Sequence, residues 1–214
     1  METNLTLMQK TGMRIYLNRE YSESKITPVC NRSDFDKAIL PSKKRGLGGN
    51  AKNIINWMPM DEDWKRRCKN YFWYQDTLEE MKKLHPKMDE RLFDLKQILL
   101  SFGGEATCLP GYEDDLSEIL KYGQLWLGTN IKMMKGVPSQ CHRNSCDLWE
   151  QNKENTRICT GYALSDDGMW RQHSWVIWMK PNSNQIVETT VPRIAYFGFV
   201  MTTEQCEKFA YDNF

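Results

Sequence analysis

Three residues in the C-terminal half of the chain could together perform nucleophilic chemistry: Cys141, His173 and Glu188, met in that order. A cysteine attacks as its thiolate, and a histidine titrates in the range where it can take the thiol's proton. A carboxylate can then hold the imidazole in one tautomer and stabilise it when charged. The reaction such a set supports is attack on an amide, ester or thioester carbonyl, giving an acyl-enzyme that a second nucleophile resolves. Gln140, His142, Asn144 and Trp175 stand beside these three in the sequence and are the candidates for supporting the site or binding an oxyanion.

Such a site needs the three side chains on separate elements. Pro138-Ser139 precedes QCHRNSCDLW, a stretch free of proline and glycine, so a helix is expected with Ser139 as its N-cap and Cys141 in its first turn. Free amides there would lower the thiol's pKa and could receive an oxyanion. RICTGYAL and MWRQHSWVIWM, rich in β-branched and aromatic residues and separated by Ser165-Asp166-Asp167-Gly168, read as a hairpin carrying His173. Lys180-Pro181-Asn182-Ser183-Asn184 is a second turn before QIVETTV, which carries Glu188. Closure of that turn near residues 180 and 181 would put 173 opposite 188, since their midpoint is 180.5. A turn centred on 182 and 183 would instead pair 173 with Pro192. Glu188 is expected to accept from Nδ1 of His173, a bond that a glutamine carbonyl could also accept. His142 follows Cys141 directly, so on a helix it points about 100° away and His173 is the expected base.

The order Cys, His, acid, with the cysteine on a helix start and the other two on adjacent strands, resembles the papain-like superfamily of cysteine enzymes. The nearer likeness is to its transglutaminase-like and arylamine N-acetyltransferase-like branches, carried by His173-Ser174-Trp175 as a His-x-Trp pattern and by the acid about fifteen residues on. The likeness covers roughly residues 136–200. It departs in having Glu188 where Asp is usual, and nothing before the cysteine matches. The resemblance implies a papain-like α+β fold with a nucleophile-bearing helix and a cysteine hydrolase or acyltransferase. No cofactor and no metal are implied.

The rest of the chain sets the frame. Its 214 residues suffice for one large domain, or for an N-terminal extension or subdomain over 1–60 followed by a catalytic domain over 61–214. With 29 basic and 28 acidic residues the net charge is +1, so no nucleic-acid or anionic-membrane partner is expected. Neither a membrane span nor a signal-peptide core stands out, and the expected location is cytoplasmic. Seven cysteines at irregular spacing fit reduced thiols. The expected partner is a protein, a peptide or a small acyl or amide substrate.

In the first sixty residues, TGMRIYLN reads as a short strand and SKKRGLGGNAKN as a basic surface loop. Apolar residues at helical spacing follow from Asp61 to Leu84, then from Asp89 to the stop at Gly103-Gly104. EDDLSEILKYG reads as a short helix, QLWLG as a strand, IAYFGFVM as another, and the stretch from Thr203 as a C-terminal helix. The expected assembly is α+β, a helical half packed against one side of a C-terminal antiparallel sheet. Gln124 and Asn130 are further oxyanion-donor candidates. Two other readings stand beside the enzyme: a non-catalytic interaction domain on the same fold, and a structural zinc site drawn from Cys141, His142, Cys146, Cys159 and His173. The spacing, with no Cys-x-x-Cys, disfavours zinc.

Overall fold

The structure, a computed structural model, describes residues 62–129, 131–180 and 183–214. The expected strand at TGMRIYLN, the basic loop at 42–53 and the extension over 1–60 lie outside these residues. The described part is mixed α/β, with six α-helices and a curled, mostly antiparallel sheet.

Helices α1 (Glu62–Cys68), α2 (Leu78–Leu84) and α3 (Arg91–Ser101) come first. The apolar stripe expected to run unbroken to Leu84 is split by a 3-10 turn at Phe72–Tyr74. The reason is local. Thr77 and Glu80 form a capping box, each side chain bonding the other's backbone amide at 3.2 Å, which starts a new helix. Lys96 of α3 is buried and donates its ammonium protons to the carbonyls of Trp73 and Gln75, clamping the 3-10 turn to α3.

Seven strands follow: β1 (Ala106–Cys108), β2 (Gln124–Leu127), β3 (Ile131–Met133), β4 (Thr156–Leu164), β5 (Met169–Lys180), β6 (Ser183–Glu188) and β7 (Ala195–Val200). Helix α4 (Leu116–Tyr122) precedes β2, α5 (Cys141–Glu150) precedes β4, and α6 (Thr203–Asn213) ends the chain behind a Thr202–Gln205 capping box. The main path of the sheet is β2-β7-β4-β5-β6-β3. Flat, its outer strands would lie about 24 Å apart at about 4.8 Å per strand step. Leu127 of β2 and Ile131 of β3 are only four residues apart in the chain, a reach of at most about 14 Å. The sheet therefore curls, drawing its two outer strands toward each other.

The curl divides the core in two. Its concave side holds Trp126, Cys159, Trp175, Ile177, Ile186 and Tyr196. The other side carries the helices: Cys146 and Trp149 of α5, Cys206 and Ala210 of α6, and Leu92, Leu95 and Leu99 of α3 pack with Ile158, Tyr162, Phe197 and Phe199 from the sheet. Helices on one side of the sheet were expected from the sequence, whereas closure of the other side on itself was not. No helix of the described residues is long and apolar enough to cross a membrane.

Candidate functional site

The site forms where β5 is left uncovered. One edge of β5 is paired with β4 from residue 170 to 178. The opposite edge pairs with β1 only at Met169–Arg171 and with β6 only at Val176–Lys180. Residues 172–175 thus have a strand on one side alone, and α5 brings Cys141 to the gap. The Cys141 sulfur accepts from the amide of Ser174, inside that gap, and from the amide of His142.

Cys141 does open a helix, but its cap differs from the one expected. Gln140 is the N-cap residue and makes no side-chain capping bond, while Ser139 has φ 61°, turning the chain sharply into the helix. The stabilising bonds come from inside α5. Asn144 accepts at Oδ1 from the Val137 amide (3.0 Å) and donates from Nδ2 to the Val137 carbonyl (2.8 Å), tying the approach loop to the first turn. A side chain at Gly136 would collide with the Asn144 amide group, its Cβ falling 2.5 Å from Cγ. Asn144 thus braces the approach loop against α5; the exposed side chain of Gln140 makes no hydrogen bond that places it in the site.

The β5–β6 pairs Val176–Val187 and Lys180–Ser183 share the midpoint 181.5, between the two registers expected from the sequence. Extended by one pair, this register sets Glu188 beside Trp175, and by three pairs Thr190 beside His173. The shift from the first expectation is two residues along β6, so Glu188 keeps the face of the sheet that His173 uses. Nε2 of His173 lies 2.8 Å from Oε2 of Glu188, both side chains almost wholly buried. The nitrogen facing the acid is therefore Nε2 and not Nδ1. With Nε2 taken, Nδ1 is left for Cys141, with which the ring also hydrogen bonds.

Glu188 is fully hydrogen bonded. Oε1 accepts from the Thr190 amide (2.7 Å) and hydroxyl (2.8 Å), and Oε2 accepts from His173 and from the Tyr196 hydroxyl (2.9 Å). Burial by itself would raise its pKa, and the bonds and charge from His173 with those from Thr190 outweigh it, leaving the carboxyl below its usual range. Burial would likewise lower His173, but its bonds to Cys141 and Glu188 raise it above 6.5. For Cys141 burial acts upward, and the His173 bond and charge with the two amides bring the thiol below 9.0. Every other described thiol with a resolved shift moves the opposite way through burial: Cys68, Cys108 and Cys159 are raised, Cys206 is pushed to about 11 and Cys146 to about 12.

His142 is not remote. Its Nδ1 lies 2.6 Å from the Ser174 hydroxyl, which donates to Thr160 at 3.3 Å. Burial and the charge of His173 hold His142 below its usual value of 6.5. Trp175 stacks on His173 with centroids 6.3 Å apart and 17° between planes, and meets Trp126 edge-on. Opposite His173 on β4 is Gly161, with φ 154°, itself paired with Gly198 of β7. A side chain at Gly198 would strike the Trp175 indole at 2.9 Å, so the bare row lets Trp175 lie low beside the histidine.

The five residues weighed as a zinc set do not converge. Cys146 lies in the core beneath the helices and Cys159 in the concave core, and no metal-binding group of three or more His, Cys, Asp or Glu occurs among the described residues. Gln124 is buried on β2 opposite Gly198, and no bond joins it to Cys141, His173 or Glu188. Asn130 lies outside the described residues. Sequence reasoning missed Tyr196 and Thr190, which carried no motif. The neighbours of the triad line two cavities: one of about 510 Å³ with His142, Thr160, Gln172 and Glu113, the other of about 570 Å³ with Val137, Asn144, Leu148 and Thr189. Comparison with known proteins gave no match, whether to a family model, a curated protein or a solved structure.

Proposed function

We propose that the protein is a cysteine-dependent enzyme of acyl chemistry, acting by hydrolysis or transfer at an amide, ester or thioester carbonyl. The observation that carries the reading is the continuous hydrogen-bonded run from Cys141 through His173 to the buried carboxylate of Glu188. A thiol held down by an imidazole, an imidazole held up by a carboxylate, and five thiols raised by burial make Cys141 the nucleophile. Cys141 attacks the carbonyl. His173 takes the thiol proton and later gives one to the leaving group, and Glu188 holds the ring and stabilises its charged form. The amides at the start of α5 are the donors for the oxyanion.

The same layout is what the papain-like resemblance implies, with its transglutaminase-like and acetyltransferase-like branches as the nearer relatives in chemistry. Substrates are proteins, peptides or small acyl or amide compounds entering by the cavities beside His142 and Asn144. Limiting iodoacetamide at pH 6 with peptide mapping tests the reading, because ordinary thiols are protonated there. Cys141 is expected to be labelled first. Label spread evenly, or concentrated on Cys30 or Cys206, would leave no activated nucleophile and would favour a non-catalytic interaction domain.

A further inference from the structure

A buried tyrosine on the concave side of the sheet shares the triad's carboxylate. Tyr196 lies on β7, which is separated from β6 by β4 and β5, about 14 Å away in a flat sheet at about 4.8 Å per step. The curl closes that distance, and the phenol hydroxyl donates to Oε2 of Glu188 at 2.9 Å, beside the 2.8 Å contact from His173 Nε2 to the same oxygen. The Tyr196 ring also packs on Trp175 (centroids 5.1 Å) and on His173 itself (6.1 Å). Phenylalanine would fill the same space. The hydroxyl therefore has a role that packing does not require.

We propose that Tyr196 is a positioning residue of this site, its hydroxyl fixing the Glu188 carboxylate and limiting how strongly that oxygen pulls on His173. An anionic oxygen divided between two donors gives less to each than to one alone. The Thr190 amide and hydroxyl saturate Oε1, so Oε2 is the only oxygen His173 and Tyr196 can share. The titratable and charged groups around the ring are Cys141 and His142 from α5, Glu188 from β6 and Tyr196 from β7, with Arg193, before β7, acting on the tyrosine. The catalytic meaning of this device rests on the triad reading, while the geometry does not.

The experiment is an NMR titration of the His173 ring in Cys141→Ala protein, with and without Tyr196→Phe, alongside Cys141 alkylation in the protein that keeps its thiol. Loss of the hydroxyl gives Oε2 wholly to His173, so the imidazolium should persist to higher pH by about 0.5–1 unit, a 3- to 10-fold change in its protonation constant. Replacing Tyr196 by 3-fluorotyrosine, a stronger donor of nearly the same size, should move the titration the other way, and this arm holds if the phenylalanine protein does not fold. A His173 titration unmoved by either change, in folded protein, overturns the proposal. The two readings fail separately. A shifted titration with an unreactive Cys141 keeps the positioning and removes the enzyme, whereas a reactive Cys141 with an unmoved titration does the reverse.

Discussion

Replacing Glu188 by glutamine should do far more damage than an exchange of isosteric side chains suggests, because every position around this carboxylate is occupied by a donor. The Thr190 amide and hydroxyl point at Oε1, and His173 and the Tyr196 hydroxyl share Oε2. A glutamine has one oxygen and one NH₂. With its oxygen toward Thr190, the NH₂ faces Nε2 of His173, which must then accept; the ring's proton moves to Nδ1, and the nitrogen facing Cys141 can no longer take the thiol proton. With its oxygen toward His173, the NH₂ meets the Thr190 amide, and a buried N–H left without an acceptor costs about 1–3 kcal/mol. The first arrangement wastes fewer bonds. The Cys141 thiol then loses the imidazole that holds it down and rises under burial, so much less thiolate is present at pH 6. A less acidic thiol is also a better nucleophile once ionised, which recovers part of the loss, and the net fall in alkylation at pH 6 should be about 10²-fold. Rates of Cys141 alkylation by iodoacetamide from pH 5 to 10, for wild type and Glu188→Gln, provide the assay. Superimposable profiles in folded protein would refute the reasoning and remove Glu188 from the site.

His173→Ala should lower turnover by about 10²- to 10⁴-fold with the fold kept, read by kcat and circular dichroism; activity within tenfold of wild type would deny it the base role. Gly161→Ala places a Cβ 2.3 Å from the Phe197 carbonyl oxygen, so a loss of about 2–4 kcal/mol, or about 5–15 °C in Tm, is expected by calorimetry. Asn144→Ala removes both side-chain bonds to Val137 and should cost about 1–3 kcal/mol in chemical denaturation while slowing Cys141 alkylation. The Glu188–His173 pair gives a signed pH dependence. Glu188 is lowered, so its contribution is present above about 4.5 and lost as pH falls through its folded value; His173 is raised, so its contribution is present below about 6.5 and lost as pH rises through its folded value. The stability gap between wild type and Glu188→Gln should therefore be widest between pH 4.5 and 6.5, as Tm measured across pH 3–9 will reveal.

The elements that carry the candidate triad were legible because each has a local signal. The helix after Cys141 lacks breakers, the β4–β5 hairpin is marked by Ser165–Gly168 with the Ser165 amide bonded to the Met169 carbonyl, and the last helix begins at Thr202 with its capping box. Details that depend on side-chain contacts and turn geometry were not. Ser139 looked like a cap from its side chain alone, but the cap geometry was set by Asn144 reaching back to Val137. The hairpin midpoint was off by one position because turn composition limits register only loosely, and the face of Glu188 survived because the error was an even number of residues.

What no local pattern revealed is why Cys141 and His173 meet at all. A strand with partners on both edges leaves no room for a thiol to bond its backbone, so the site depends on the gap at residues 172–175 of β5. That gap exists because β1 is three residues long and stops pairing at Arg171, while β6 ends its pairing at Val176. Three residues of Ala-Thr-Cys carry no strand signal, and β1 pairs in parallel with a strand more than sixty positions away. The curl that brings Tyr196 to Glu188 is equally non-local, since it joins strands three steps apart in the sheet. A cysteine at a helix start and a histidine on a strand are common separately. Here they are joined by what pairs with β5, and above all by where that pairing stops.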